Sequence, residues 1–254
     1  MTLEFARLLR IQRDLYALPR GRERFDAYLR TMVDAGTGDL ALPLVAMNPM
    51  GKEHVPALID SYLSLDADAE AERAIAGLGR VYPDIAATFR VGLVMADDLK
   101  GGWTNRFASE FSARFETAAL HKRRWLVGVL WTSEAAGLEA GTSAVRMAVH
   151  RAAHIERHGP PQTLGDMLAQ EGYAAAAADC QAPVLDPDDL AYTREVLRPL
   201  LAAADRATQI AALFGDAAAT ALGYQPLGVS ARAGLALALH DALARRQADR
   251  QRPD

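Results

Sequence analysis

From Phe89 to Ala96 the chain reads Phe-Arg-Val-Gly-Leu-Val-Met-Ala, a nearly continuous apolar run. A strand with one wet face alternates polar and apolar residues, whereas Val91, Leu93 and Val94 together suit a strand buried on both faces, as in a parallel sheet covered by helices. Such a strand needs neighbours in the sheet and helical crossovers to reach them. Two further segments are expected to supply those neighbours. One is Asp39 to Met47, short and apolar but interrupted by Pro43, and the other is Trp125 to Trp131.

Helical periodicity fills most of the rest. Leu3, Ala6, Leu8, Ile11 and Leu15 predict a helix over Leu3 to Ala17, and Phe25, Tyr28, Leu29, Met32 and Val33 a second, so that a helical hairpin precedes the first strand. Asn48-Pro49 reads as a capped helix start running to about Leu65; Asp66-Ala67-Asp68 caps another from Ala69 to Val81. Later helices are expected over Ser143 to His158, Thr163 to Asp179, Asp188 to Ala204, Ala207 to Leu222 and Ser230 to Arg246. The expectation is a predominantly helical α/β fold with a small, about three-stranded, mostly parallel sheet, crossover helices and a C-terminal helical layer or lobe. Residues 1–158 would hold the hairpin and α/β core, 159–246 the helical region, and 247–254 a flexible tail.

Composition narrows the function classes. A net charge of −4 provides no basic field for a phosphate backbone, which argues against nucleic acid as partner. No segment approaches the roughly 18 consecutive apolar residues of a membrane span, and the first residues lack the apolar core of a secretion signal. The single cysteine, Cys180, cannot form an internal disulfide, so a reducing compartment, the cytoplasm, is expected.

Open α/β sheets bind ligands in the crevice at the carboxyl ends of their strands, and there the sequence is richest in polar chemistry. Asn48-Pro49-Met50-Gly51-Lys52-Glu53-His54 puts glycine, a cation and an imidazole where a helix start attracts anions, although it is no Walker loop, since Ala46 and Glu53 occupy positions that motif reserves for glycine and a hydroxyl residue. Asp97-Asp98-Leu99-Lys100-Gly101-Gly102-Trp103-Thr104-Asn105-Arg106 follows the central strand directly. Its neighbouring carboxylates point to different sides, so one faces the crevice while the other caps or pairs. His54, Asp97 and Asp98 are the candidate proton carriers; Asn48, Gly51, Lys52, Lys100, Gly101, Trp103, Asn105 and Arg106 are candidate substrate contacts. The same residues also read as a capped helix with a solvated Lys and Glu, and as a loop whose Trp covers the core. Thr132 and Ser133 read as helix caps, and Ser133 lies outside any nucleophile elbow.

His150, His154 and His158 recur every four residues, which resembles a metal-binding stripe. Val145, Ala148, Val149, Ala152 and Ile155 define the opposite, apolar face, and this placement turns all three histidines toward water. Redox cofactors find no fingerprint, since Tyr82 stands where a dinucleotide loop needs its third glycine. Three functions fit: an acid/base enzyme (hydrolase, lyase or transferase) acting on a small anionic phosphate- or carboxylate-bearing metabolite, a non-catalytic ligand-binding or homodimeric assembly protein, and a metal enzyme built on the histidine stripe.

Overall fold

A computed structural model describes residues 1–99 and 105–251. The protein is mostly helical, with a three-stranded, all-parallel sheet. By its internal contacts the chain divides into two compact units, one of Met1–Ser109 and Glu116–Val149, the other of Glu110–Phe115 and His150–Asp254.

In the first unit, β1 (Thr2–Phe5) is followed by α1 (Leu8–Ala17), α2 (Arg22–Met32), α3 (His54–Ser64) and α4 (Ala67–Ile75), then β2 (Thr88–Ala96). The start of α5 (Arg106–Phe115) and α6 (Ala118–Lys122) lead to β3 (Trp125–Trp131), which feeds α7 (Leu138–His158). β2 is central: Phe5 pairs with Val91 on one side, and Val91 with Leu126 and Ala96 with Trp131 on the other. Both faces of β2 are covered. A Cβ on Gly92 would lie 2.6 Å from Leu8 at the start of α1, and one on Gly128 would lie 3.0 Å from the Val145 amide of α7, so glycine on each face permits close helix packing.

The first strand is not where the sequence suggested. Residues 39–47 contain one antiparallel bridge, Leu40 to Val33, and a single 3-10 turn, Leu44–Ala46. Pro43, which has no N–H, precedes that turn. The N-terminal residues read as helix form the strand instead. Thr2-Leu3-Glu4-Phe5 alternate exposed and half-buried in the manner of an edge strand, and helix begins only at Leu8. Other boundaries move as well: α7 starts at Leu138 rather than Ser143, and the helix expected over Ala207 to Leu222 is two, broken at Gly215. The helix expected over Ala69 to Val81 stops at Ile75, ahead of Gly77 at φ +86°. Asp66 adopts φ +55° without capping α4, and Asn48-Pro49 forms a turn ahead of α3 rather than its first turn.

Because β1 spans only four residues, the outer edge of β2 would be left bare beyond Val91. The Gln12 side chain fills part of that gap. Fully buried, it donates to the Met95 carbonyl (3.1 Å) and accepts from the Met95 amide (2.8 Å), replacing a strand neighbour with one primary amide. Gln12→Leu would strand two buried backbone groups, and urea denaturation should show a loss of about 2–4 kcal/mol.

In the second unit, α8 (Leu164–Ala177), α9 (Pro187–Leu197), α10 (Arg206–Phe214), α11 (Asp216–Ala221) and α12 (Ala233–Arg250) pack on one another, α12 against α8, α9 and α10. The starts of α8, α9 and α10 are marked by side-chain caps: the Thr163–Asp166 capping box, Asp186 with Pro187, and Asp205. α12 continues four residues past its expected end at Arg246. Its residues Ala233 to Leu239 are all buried. Polar ends within this unit are joined by buried charge. Glu171 accepts from Arg151 at 2.6 and 3.0 Å and also from Arg114, while Glu110 accepts from Arg114 and, through both oxygens, from Arg232 at 2.8 Å. Burial alone would raise the Glu171 pKa, but Arg151 and Arg114 bring it down to about 2.

The histidine stripe differs from its sequence reading. His150 is 3% exposed rather than facing water, whereas His158 is exposed as expected; His154 packs against His158 with tilted rings, centroids 4.5 Å apart, and burial together with the neighbouring His158 lowers the His154 pKa. Among the described residues no group of three His, Cys, Asp or Glu side chains is placed to hold a metal ion. Nor is any described helix long and apolar enough to cross a membrane.

Asp68, expected in the cap of α4, is 6% exposed, and one of its carboxylate oxygens has no donor. Burial raises its pKa from 3.8 to about 6, with Arg7 opposing the shift. The folded-state value exceeds the unfolded one, so the contribution is most favourable below about pH 4 and is lost as the pH rises through 6. Asp68→Asn should therefore stabilise the protein at pH 8 by about 1–2 kcal/mol, after discounting for partial solvation. Thermal melts of the variant should lack the wild-type decline between pH 4 and 6.

Candidate functional site

At the carboxyl end of β2, Asp97 and Asp98 face a common neighbour. Thr132, directly after β3, lies with its hydroxyl 3.1 Å from Asp97 Oδ1 and 3.0 Å from Asp98 Oδ1, and accepts from the Asp98 amide at 3.1 Å. A hydroxyl has one proton to donate, so Thr132 serves one carboxylate at a time. It joins two clusters of different character.

The first cluster is built on Asp97, whose side chain is 3% exposed. Its Oδ1 lies 2.8 Å from Nε2 of His54, the first residue of α3, and accepts from the Leu99 amide at 3.2 Å; Oδ2 accepts from Asn48 Nδ2 at 3.0 Å. The loop bearing Asn48 is held from behind. Tyr16 donates to the Asn48 carbonyl at 2.5 Å, and the buried Arg24 reaches the carbonyls of Leu18, Pro49 and Gly51, its guanidinium also lying over the Tyr16 ring. Burial, and then the Asp97 charge, raise the Tyr16 pKa, so its hydroxyl stays a donor. Gly51 is packed, not open: a Cβ there would meet Val55 at 2.9 Å and the Tyr16 hydroxyl at 3.0 Å. His54 Nδ1 is buried and has no hydrogen-bond partner.

The second cluster is closed. Asp98 Oδ1 accepts from the Ser133 amide at 2.8 Å, and Oδ2 from the Ser133 hydroxyl at 2.6 Å and from Arg106 at 3.0 Å. Arg106 also donates to Ser133 Oγ (3.1 Å) and Glu134 (2.6 Å) and stacks on the Trp131 ring, 4.1 Å from its centroid. Burial pushes the Asp98 carboxyl up, but the bonds from Ser133, Arg106 and Thr132 outweigh it and hold the group below its ordinary range. Asp98 is thus an ionised clamp between the ends of β2 and β3, and Arg106 spends its fork on protein carboxylates.

The remaining sequence candidates divide. Lys52 is exposed, with no ion-pair partner among the described residues. Asn105 caps α5, its Oδ1 accepting from the amides of Phe107 and Ala108. Lys100, Gly101 and Trp103 lie outside the described residues. Tyr16 and Arg24 carried no local signal of a role at the site: Tyr16 lies inside the first expected helix and Arg24 just ahead of the second. Thr132 and Ser133, expected as helix caps, bond across the strand ends instead.

The arrangement holds the His54 ring in one orientation. When Asp97 is ionised it accepts from Nε2, so the neutral ring keeps its proton there and leaves the buried Nδ1 as a lone pair without a donor. Nothing comparable activates Ser133, whose hydroxyl proton is committed to Asp98. Searches among protein-family models, curated proteins and solved structures found no match to this chain.

The two carboxylates of the Arg106 cluster should differ sharply in weight. Asp98→Ala removes a carboxylate that is 2% exposed and strands its buried donors, a loss of about 3 kcal/mol or more, whereas Glu134, 46% exposed, should cost less than about 1 kcal/mol as Glu134→Gln. Chemical denaturation of the two variants checks the ordering.

Proposed function

We propose that the protein is an enzyme that moves protons on a small anionic metabolite at the carboxyl ends of its strands, in a hydrolase, lyase or transferase reaction. The observation carrying this reading is the His54–Asp97 pair: an imidazole 15% exposed, bonded at 2.8 Å to a buried carboxylate that Asn48 and the Leu99 amide also hold. Fixing one ring nitrogen on a carboxylate orients the ring and sets its tautomer, as acid/base catalysis by histidine requires. His54 is the proton carrier and Asp97 its positioning residue. Lys52, two residues from His54 and without an ion-pair partner among the described residues, is the cation suited to a phosphate or carboxylate of the substrate. Because Ser133 is committed to Asp98, the reading favours direct proton transfer or activation of water over an acyl-serine intermediate.

A library of phosphorylated and carboxylated metabolites, screened by thermal shift and then by NMR for turnover, tests the proposal. His54→Gln should lower kcat/KM on the substrate found by about 10²- to 10⁴-fold while preserving the melting temperature. Lys52→Ala should act mainly through KM. Nitrogen-15 spectra of the imidazole should show the Nε2–H tautomer in the neutral protein, with the preference lost in Asp97→Asn. Turnover unchanged in folded His54→Gln and Asp97→Asn variants, or no ligand across the library, would overturn it.

A further inference from the structure

The second unit carries a groove unrelated to the strand-end chemistry. It has a volume of about 350 Å³, within the span of pockets that hold small molecules. Its floor is apolar, formed by Leu168 of α8, Leu197 of α9, and Leu237 and Ala238 of α12, with Leu201 at one side. The rim is charged, with Arg194, Arg198 and Arg245 against one acid, Asp241.

Those charges are unequally committed. Arg194 is paired with Asp241 at 2.6 Å. Arg198 meets Glu195 at 2.9 Å, but both side chains are more than 60% exposed, and such an ion pair in water is readily exchanged. Arg245 donates only its Nε, to the Asp241 carbonyl at 3.1 Å, and has no carboxylate partner among the described residues. Its two terminal nitrogens therefore form a free fork of the shape that binds a carboxylate or phosphate through two hydrogen bonds. A positive rim above an aliphatic floor, on a chain whose net charge is −4, selects an occupant with an apolar body and an anionic head.

We infer that this groove binds a small amphipathic anion, its aliphatic or aromatic body on Leu168, Leu197 and Leu237 and its head on Arg245 and Arg198. The inference is independent of the reaction assigned to His54.

Calorimetric titration of the full chain with octanoate and octyl phosphate, below their micelle concentrations, tests it, with octanol, octyltrimethylammonium and acetate as controls. The expected result is saturable one-to-one binding of at least one octyl anion, with the controls at least tenfold weaker; the octanoate-to-octyl-phosphate ratio identifies the preferred head. Arg245→Gln, a change at an exposed side chain, should weaken that binding about tenfold or more, and Arg198→Gln should weaken it further in the double variant. Arg20→Gln, outside the groove, should leave it unchanged. Equal binding of the cationic amphiphile, indifference to Arg245→Gln, or no saturable binding would overturn the inference. So would concentration-dependent dimerisation abolished by Leu201→Glu without any anion binding, which would make the surface a contact between copies.

Discussion

β2 lies out of water along its inner length, and the first unit is organised by what that demands. A buried strand brings its amides and carbonyls with it, and each needs a partner because water cannot supply one. β3 answers on one edge through seven paired residues. On the other edge β1 reaches only Val91, and Gln12, a side chain of α1, takes the place of the missing strand at Met95. α1 is thereby tied to the sheet by hydrogen bonds as well as by the close approach that Gly92 allows.

The same demand shapes the site. Where β2 emerges, Asp97 and Asp98 are buried carboxylates, and buried carboxylates persist only when surrounded by donors. Asp98 finds them in the next strand's exit, through Ser133, Thr132 and Arg106, and so pins β2 to β3. Asp97 finds them in a distant loop and the helix after it, through Asn48 and His54, the loop held from behind by Tyr16 and Arg24. One carboxylate is sealed within an ion cluster, whereas the other ends on an imidazole with an unoccupied nitrogen. That asymmetry between adjacent, identical residues is why chemistry is assigned to one and structure to the other.

Charge is handled differently in the second unit. Inside, Glu110 and Glu171 are saturated by three arginines, an arrangement that resists protonation down to about pH 2 at Glu171. On its surface, Arg245 has no such acid, and the floor beneath it is aliphatic. Arginines with partners hold helices together; an arginine without one at the rim of a groove is available to a ligand.

Much of this was legible in the residues. The run from Val91 to Met95 required burial on both faces, the Trp125 to Trp131 segment matched it, and helical periodicity marked the helices of the second unit, although it merged α10 and α11 into one, because period is a local property. Residues 48–54 do meet 97–98, as expected, but not from the end of a strand of their own, because residues 39–47 form a turn. Local patterns could not decide partners. Thr2–Phe5 merged with the helix after it because four residues, two of them half-buried, are too few to establish a period of two, and residues 39–47 were apolar enough to resemble a strand even though Pro43 lacks a donor. Arg106 read as an anion clamp until the fold placed Asp98 and Glu134 against it, and His150 read as solvated until the second unit buried it. Composition and periodicity report how much of a segment leaves water; which group then neutralises a buried charge depends on residues tens of positions away, and only the tertiary structure brings those together.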